Sequence, residues 1–467
     1  MNKKYTLFSL FSGAGGLDLG FKLSNMFDVV FANDISGPAT ETHSMNFHIK
    51  HVKDHPSIAD LPVVFQGDVA ELKVDAFEKL EPDVIAGGPP CQDFSMVRGP
   101  GTERAGTKVS RGRLYSHFVR ALIHLQPRVF VFENVPGLVN ANEGVAYQQI
   151  LEDFSKLSIR WDEIRQLVGN SSQVKPKAYE IVYNDLTDAK KLGVPQARRR
   201  LIIVGLRKDI SASIWWKIDG LKRRVADIMK GKGKLTSKYP LTTMEIFEGR
   251  PLPELGNKYA ELMKEYRGVA EEVGTQKAMQ WKKDVWEKLT FDAVQDYVAI
   301  NKIEVLDKDE TGRAFAEHSE LLKELGYYGT KVFDVACSNG SNETRRESEG
   351  VLERMKRIPP DENHEFVRNT TWEVEGKGMS LIYRRIHPLK PAYTVVAYGG
   401  GGTWGYHYER QRATLNNRER ARLQTFPDWF TFSGNRSQVR AQIGEAVPPL
   451  MAKTVARCIS EILEDTN

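Results

Sequence analysis

The chain has 467 residues, 41% of them hydrophobic and 27% charged, with 66 Lys plus Arg against 61 Asp plus Glu and a formal net charge of +5. Such usage is ordinary for folded globular domains and excludes a wholly disordered chain, a collagen-like chain and a disulfide scaffold. A surplus of +5 permits a nucleic-acid partner without requiring one, because binding rests on local basic patches. Cys91, Cys337 and Cys458 are the only cysteines, which points to a reducing compartment.

Lys3 and Lys4 precede an apolar stretch at 5–11, but it runs into Ser12-Gly13-Ala14-Gly15-Gly16 with no small-x-small cleavage site. No apolar run of about 18 residues follows, so the expectation is a cytoplasmic protein with no membrane contact. Short runs rich in Val, Ile and Phe recur at 5–11, 29–32, 63–65, 84–86, 129–132, 181–183 and 201–206. Gly, Pro or Asp bounds several of them, as expected of buried parallel strands. Helical spacing falls between them, as in Phe118, Leu122, Ile123 and Leu125. The alternation predicts an α/β fold with a doubly wound, mostly parallel sheet.

At 210–235 the composition shifts to a basic stretch, Lys222-Arg223-Arg224 and then Lys230, Lys232 and Lys234 among glycines. Helices are expected over 245–325, where Tyr259, Leu262, Met263 and Tyr266, and again Trp281, Val285, Trp286 and Leu289, keep helical spacing and read as core stripes. Residues 331–380 are polar and broken, 399–402 are four glycines, and helices return at 417–423 and 449–463.

Five segments carry chemistry. In Phe8-Ser-Leu-Phe11-Ser-Gly13-Ala-Gly15-Gly16-Leu-Asp18 a strand enters a glycine turn that opens a helix. Glycines admit close backbone approach and positive φ, although a plain tight turn would read the same way. Asp18 stands where the dinucleotide fingerprint has its third glycine, which disfavours an NAD oxidoreductase. Asp34 ends the next strand, where an acid can bind ribose hydroxyls, and Asp68 ends the one after.

In Gly87-Gly88-Pro89-Pro90-Cys91-Gln92 two prolines stiffen a strand end just before a thiol. Polar and turn residues surround it, unlike a structural core cysteine. Residues 98–113 then bring five basic side chains among five glycines and prolines, a candidate loop for a phosphate backbone. Val129-Phe-Val-Phe132-Glu133-Asn134 delivers a Glu to a strand end, where burial demands a partner or a proton. Gln196-Ala-Arg198-Arg199-Arg200 leads into the last strand, and strand alternation sets Arg198 and Arg200 on one side. Arg418-Glu419-Arg-Ala-Arg422-Leu-Gln-Thr-Phe426-Pro427 and Gly444-Glu445-Ala446-Val447-Pro448-Pro449 complete the set.

In their order and content these segments resemble the cytosine-5 DNA methyltransferases, over about residues 5–207 and 383–460. The resemblance implies a Rossmann-like class I methyltransferase fold that uses S-adenosyl-L-methionine. Phe11, Gly13, Gly15, Gly16, Asp34, Ile35, Asp68, Val69, Pro90, Leu114, Glu445 and Ala446 would bind that cofactor. The family usually carries Asn at the Glu445 position. Cys91 would be the nucleophile, Glu133 would hold the cytosine N3 and amino group, Arg200 its O2, and Arg198 would complete the catalytic set. Ser95, Arg111, Arg384, Arg385, Thr394 and Tyr398 would contact DNA, with Arg384 and Arg385 suited to guanine.

The implied domains are 1–207 plus 436–467 for catalysis and 208–435, a smaller α+β unit with a helical insertion at about 245–330, for target recognition. The implied partner is double-stranded DNA, with a cognate restriction endonuclease acting on the same site without a stable complex, and the enzyme a monomer. A catalytically inactive DNA-binding regulator and an RNA cytosine-5 methyltransferase are the competing readings.

Overall fold

A computed structural model of the chain describes residues 4–90, 113–157, 176–337, 339–344, 346–374, 382–398 and 405–466. They form two compact units, one of Met1–Asp188, Arg199–Lys232 and Ala446–Asn467, the other of Ala189–Arg198 and Gly233–Glu445.

The first unit is built on one sheet of eight strands. These are β1 (Tyr5–Leu10), β2 (Phe27–Asp34), β3 (Lys50–Val52), β4 (Val63–Gln66), β5 (Val84–Gly87), β6 (Val129–Asn134), β7 (Tyr179–Asp188) and β8 (Arg199–Arg207). Their order is β3-β4-β2-β1-β5-β6-β8-β7, and every pair is parallel except β8 with its two neighbours. Each apolar run of the sequence is a strand here. The additional one, Lys50-His51-Val52, is too short and polar to stand out as an apolar run.

Aromatic rings fill the core: Phe8 stacks on Phe31 with centroids 4.1 Å apart, and Phe130 meets Phe154 at 4.4 Å. Each such buried ring contributes about 1.5–3 kcal/mol. The helix Pro449–Asp465 packs on Gly16–Leu23, so the end of the chain returns to this unit.

Three segments fall on different sides of the compact boundaries than the domain limits read from sequence, the first being Ala189–Arg198, which lies in the second unit. The helix Ile218–Met229 stays with the sheet, burying Leu221, Val225 and Met229 and pairing Lys222 with Glu180 and Arg224 with Asp465. The helix Arg436–Glu445 belongs with the second unit, where the Asn417 amide donates to the Arg436 carbonyl at 3.0 Å.

Among its described residues the second unit is made of helices and irregular chain. Its β structure is confined to the isolated bridges Gln196–Ala392, Arg385–Tyr406 and Tyr406–Thr414. Tyr259, Leu262, Met263 and Tyr266 are buried, as their spacing predicts. The Trp281 stripe is broken: the helix Gln276–Asp284 ends before Val285, and Trp286–Lys288 form a separate turn. Inside this unit Glu245 caps its own helix start at Thr242 and accepts from buried His318 at 2.9 Å. A buried acid so paired leaves no periodic signal in the sequence. No helix among the described residues is long and apolar enough to cross a membrane.

Candidate active site

Register brings the sheet unit's candidates to one edge. Leu10 pairs with both Asn33 and Gly87, and Gly87 pairs with Phe132. Phe11, Asp34, Gly88 and Glu133 therefore leave the carboxyl ends of four parallel strands at one level, where doubly wound sheets bind ligands. Because β8 runs the opposite way, it enters the sheet at that same end, with Arg200 as its second residue.

The glycine turn is held from beneath. Phe11 itself has φ 55°, a left-handed conformation rare for an aromatic residue. Gly15 has φ 86°, and a Cβ there would lie 2.7 Å from the His43 ring. That ring is held by Asp18, whose carboxylate meets His43 Nε2 at 2.8 Å and accepts the Ser9 hydroxyl at 2.7 Å, all three residues being buried. Asp18 thus has a structural task in place of the missing third glycine, which sequence reading did not foresee.

Above the turn, the Asp34 carboxylate accepts the Gly13 and Ser36 amides at 2.9 Å each. Burial pushes this carboxyl above its ordinary range, and those amides together with His43 oppose the push. Ile35, the next residue, is 69% exposed, an uncovered apolar side chain beside an acid.

Asp68 and buried Val69 follow β4, with Asp68 Oδ1 accepting the Ala70 amide at 2.8 Å. Arg120 fixes this loop: its guanidinium donates to the carbonyls of Val69 at 2.6 Å, Leu72 at 3.1 Å and Ala70 at 3.2 Å. The one sequence signal for Arg120 is its position as the single charge in Phe118–Ile123. Leu114, on the same helix Arg113–Leu125, packs at the edge of the core, and Pro90 is exposed.

Glu133 is nearly covered and finds the partner its position demands, Arg200 Nε at 3.0 Å from Oε1, both side chains 12% exposed. Arg200 also donates to the Arg199 carbonyl at 2.8 Å. Burial pulls the Arg200 guanidinium below its ordinary pKa, and Glu133 opposes this. A Cβ on Gly88 would lie 2.7 Å from Glu133 Oε2, so a glycine lets the Pro89-Pro90 turn pass over the carboxylate. Asn134 ties that turn down by donating to the Pro89 carbonyl at 3.0 Å, a second role missed in the sequence. Cys91, Ser95 and Arg111 lie outside the described residues.

The second unit encloses two of the expected arginines. Arg198 precedes β8, is fully buried, and donates to the carbonyls of Val395 and Gly444 at 2.9 Å each. A guanidinium so enclosed holds backbone of the second unit. Gln196 reinforces it, accepting the Val395 amide at 2.7 Å and donating to the Leu423 carbonyl at 3.0 Å.

Arg385, expected to read guanine, is also fully buried. It donates to the carbonyls of Ile358 and Glu409 at 2.6 Å, of Arg412 at 3.3 Å, and of Met355 and His407. All its donor directions point into protein, so it has none to offer a base. Arg384 is half-buried on the Tyr393 ring. Thr394 donates its hydroxyl to the Ala197 carbonyl at 2.6 Å, and exposed Tyr398 donates to exposed Glu445 at 3.2 Å. Ala446, the next residue, is partly buried in the first unit.

The family model of the C-5 cytosine-specific DNA methylases matches residues 5–461. The chain belongs to this family. The methylase is thus a DNA (cytosine-5)-methyltransferase. It is 56% identical over 465 residues to a protein of Aeropyrum pernix named DNA (cytosine-5-)-methyltransferase M.ApeKI, with 99% of each chain covered. It is 31% identical to the type II methyltransferase M.NgoFVII of Neisseria gonorrhoeae over 99% of this chain and 88% of that one. Among solved structures it resembles a prophage-encoded DNA modification methyltransferase candidate from E. coli. The TM-score is 0.53, the identity 21% and the coverage 99% and 100%, a likeness of fold.

Proposed function

We propose that the methylase transfers the methyl group of S-adenosyl-L-methionine to C5 of a cytosine flipped out of duplex DNA, with Cys91 as nucleophile. The observation that carries this reading is the paired Glu133 and Arg200 at the sheet's carboxyl edge, where Gly88 lets the Pro89-Pro90 turn pass over the carboxylate. An acid and a guanidinium side by side suit one face of cytosine, the acid at N3 and the amino group, the guanidinium at O2.

The residues of the glycine turn fit the cofactor. Asp34 is an acid placed for vicinal hydroxyls, Ile35 is an uncovered apolar side chain for a purine face, and the Cβ direction of Gly13 opens on empty space. S-adenosyl-L-methionine supplies an electrophilic methyl group when bound. Phe11, Gly13, Gly15, Gly16, Asp34, Ile35, Asp68, Val69, Pro90, Leu114, Glu445 and Ala446 would hold it.

Cytosine C5 is too weak a nucleophile to take that group unaided. Addition of the Cys91 thiolate to C6 makes C5 an enamine carbon, while Glu133 and Arg200 stabilise charge on the ring. After C5 has been methylated, loss of its proton and departure of the Cys91 sulfur restore the aromatic base. The base is out of reach in a duplex and must be extruded first. Ser95, Arg111, Thr394 and Tyr398 are read as DNA contacts.

Relatives named type II methyltransferases support a modification enzyme of a restriction-modification system. We read it as a cytoplasmic monomer whose cognate endonuclease shares the site without a stable complex.

The test uses a tritiated methyl donor and duplex DNA. Label is expected in 5-methylcytosine alone, and Cys91→Ser should abolish transfer while still binding S-adenosylhomocysteine. Label on an exocyclic amine, on RNA in preference to DNA, or in the Cys91→Ser reaction would overturn the reading.

A further inference from the structure

We infer that Arg384 reads one guanine of the DNA target, and that Tyr393 and Asp361 are positioning residues that hold it ready to do so. This rests on the DNA-methylating reading above and adds to it a residue that sets sequence preference.

Arg384 and Arg385 are neighbours of the same type with opposite surroundings. Backbone carbonyls accept from all three guanidinium nitrogens of buried Arg385. The Arg384 guanidinium carbon instead lies 3.1 Å from the centroid of the Tyr393 ring. Among the described residues no carboxylate or carbonyl accepts from Arg384. The guanidinium lies against the ring and shares one side-chain hydrogen bond with Tyr393, which leaves its other N–H groups for a further acceptor.

The ring beneath is itself fixed. The Tyr393 hydroxyl donates to Asp361 Oδ1, and Lys390 donates to Asp361 Oδ2. Asp361 adopts φ 72°, unusual outside glycine, and its amide donates to the Arg385 carbonyl at 3.0 Å. The buried Arg385 therefore anchors, through its backbone, the platform on which Arg384 lies. Tyr393 is followed by Thr394 and Val395, which are tied to Ala197 and Gln196, so both ends of the platform are restrained.

A guanidinium whose plane is set in advance presents two parallel N–H groups in a fixed direction. That geometry matches the O6 and N7 acceptors of guanine in the major groove. A contact to phosphate needs charge but no fixed plane, and a solvated Lys or Arg would serve it. The platform is built for direction, which favours the base over the backbone.

The test uses duplexes carrying the methylation site, as mapped by 5-methylcytosine sequencing of DNA treated with the enzyme. Guanines are replaced one at a time by 7-deazaguanine, which lacks the N7 acceptor. With the wild-type enzyme, replacement at one guanine should lower kcat/KM about 10-fold, within the range of a lost bidentate contact. Arg384→Gln should lose a similar factor on the natural duplex and show no further loss from 7-deazaguanine at that guanine alone. Penalties at the other guanines should persist.

Tyr393→Phe and Asp361→Asn should show smaller losses confined to the same guanine, through KM for DNA with kcat unchanged. Arg384→Lys, read in the same way, covers the case in which the Gln variant fails to fold. Undiminished 7-deazaguanine penalties at every guanine in the Arg384 variants would overturn the inference. So would a uniform loss on all duplexes that shrinks with salt, the mark of a phosphate contact. If the wild-type enzyme puts no 5-methylcytosine into DNA, the reading of function fails and takes this inference with it.

Discussion

Arginine plays different parts in the two units, and the difference follows from how each satisfies its backbone. In the sheet unit the ladders of β1–β8 pair the strand backbone, and Arg200 at the strand edge turns to a carboxylate, Glu133, besides the Arg199 carbonyl. The second unit has three isolated bridges among its described residues and long irregular segments. There Arg198, Arg385, Arg418 and Arg422 turn inward and donate to carbonyls, including Val395 and Gly444 for Arg198, Phe430 for Arg418, and Ile246 and Thr330 for Arg422, which pairs with the Asp428 carboxylate as well. Buried carbonyls must be paired, and a guanidinium offers five donors in one plane to chain that no ladder can serve. Arg120 confirms the rule within the first unit, since the carbonyls it takes belong to a loop and not to a strand.

The largest effect is expected of Arg385→Met. It leaves several buried carbonyls without a donor and should destabilise the second unit by about 4 kcal/mol, at about 1–3 kcal/mol for each group left unsatisfied and partial relaxation. Urea unfolding followed by hydrogen exchange should show the loss in the second unit while the sheet keeps its protection. A stable Arg385→Met protein with altered sequence preference would return Arg385 to the DNA surface and undo the distinction.

Next in size is a pH effect confined to the second unit. Burial pushes His387 down to about 4, with Asp361 opposing, and burial pushes His407 the same way. An unfolded histidine binds its proton near pH 6.5, so the unfolded state takes up protons first as the solution is acidified. The stability from neutral His387 is complete above about pH 6.5 and is lost as the pH falls through about 4, a change of up to about 3 kcal/mol. The stability difference between wild type and His387→Asn should therefore shrink from pH 7 to pH 5. A difference that stays flat would mean His387 titrates alike in both states.

A smaller effect is expected inside the sheet unit. Arg120→Ala frees the Asp68–Val69 loop and should weaken S-adenosylhomocysteine binding roughly 10-fold, about 1.4 kcal/mol. Calorimetric titration checks it, and KM for DNA should not change. An unchanged affinity would show that the loop keeps its shape without the guanidinium.

How far the sequence could be read follows the same division. Strand runs such as Val129–Phe132 were legible because a parallel sheet buried on both faces demands unbroken apolar residues. Asp34, Glu133 and Arg200 were legible because strand ends at one edge are where polar residues must have a reason. The pair of Asp18 with His43 and the clamp of Arg120 were not, because each joins residues distant in the chain through a single polar contact. Arg385 was misread for a physical reason: a basic pair in a polar stretch looks solvated, and nothing local shows that irregular backbone will enclose one member and leave the other at the surface. The limits of the two units were blurred because the helix Ile218–Met229 carries basic residues that meet acids of β7 and the last helix, so its charge marked no boundary.

Attack of Cys91 on a cytosine whose C5 then takes the methyl group is open to a direct trap: 5-fluorocytosine at the mapped target position with the methyl donor present. Fluorine cannot leave as the C5 proton does, so the enzyme should be held in a covalent complex. That complex should survive denaturation, yield a peptide with the adduct on Cys91, and fail to form with Cys91→Ser. Turnover without a covalent complex, or an adduct on another residue, in a preparation active on ordinary DNA would contradict the account.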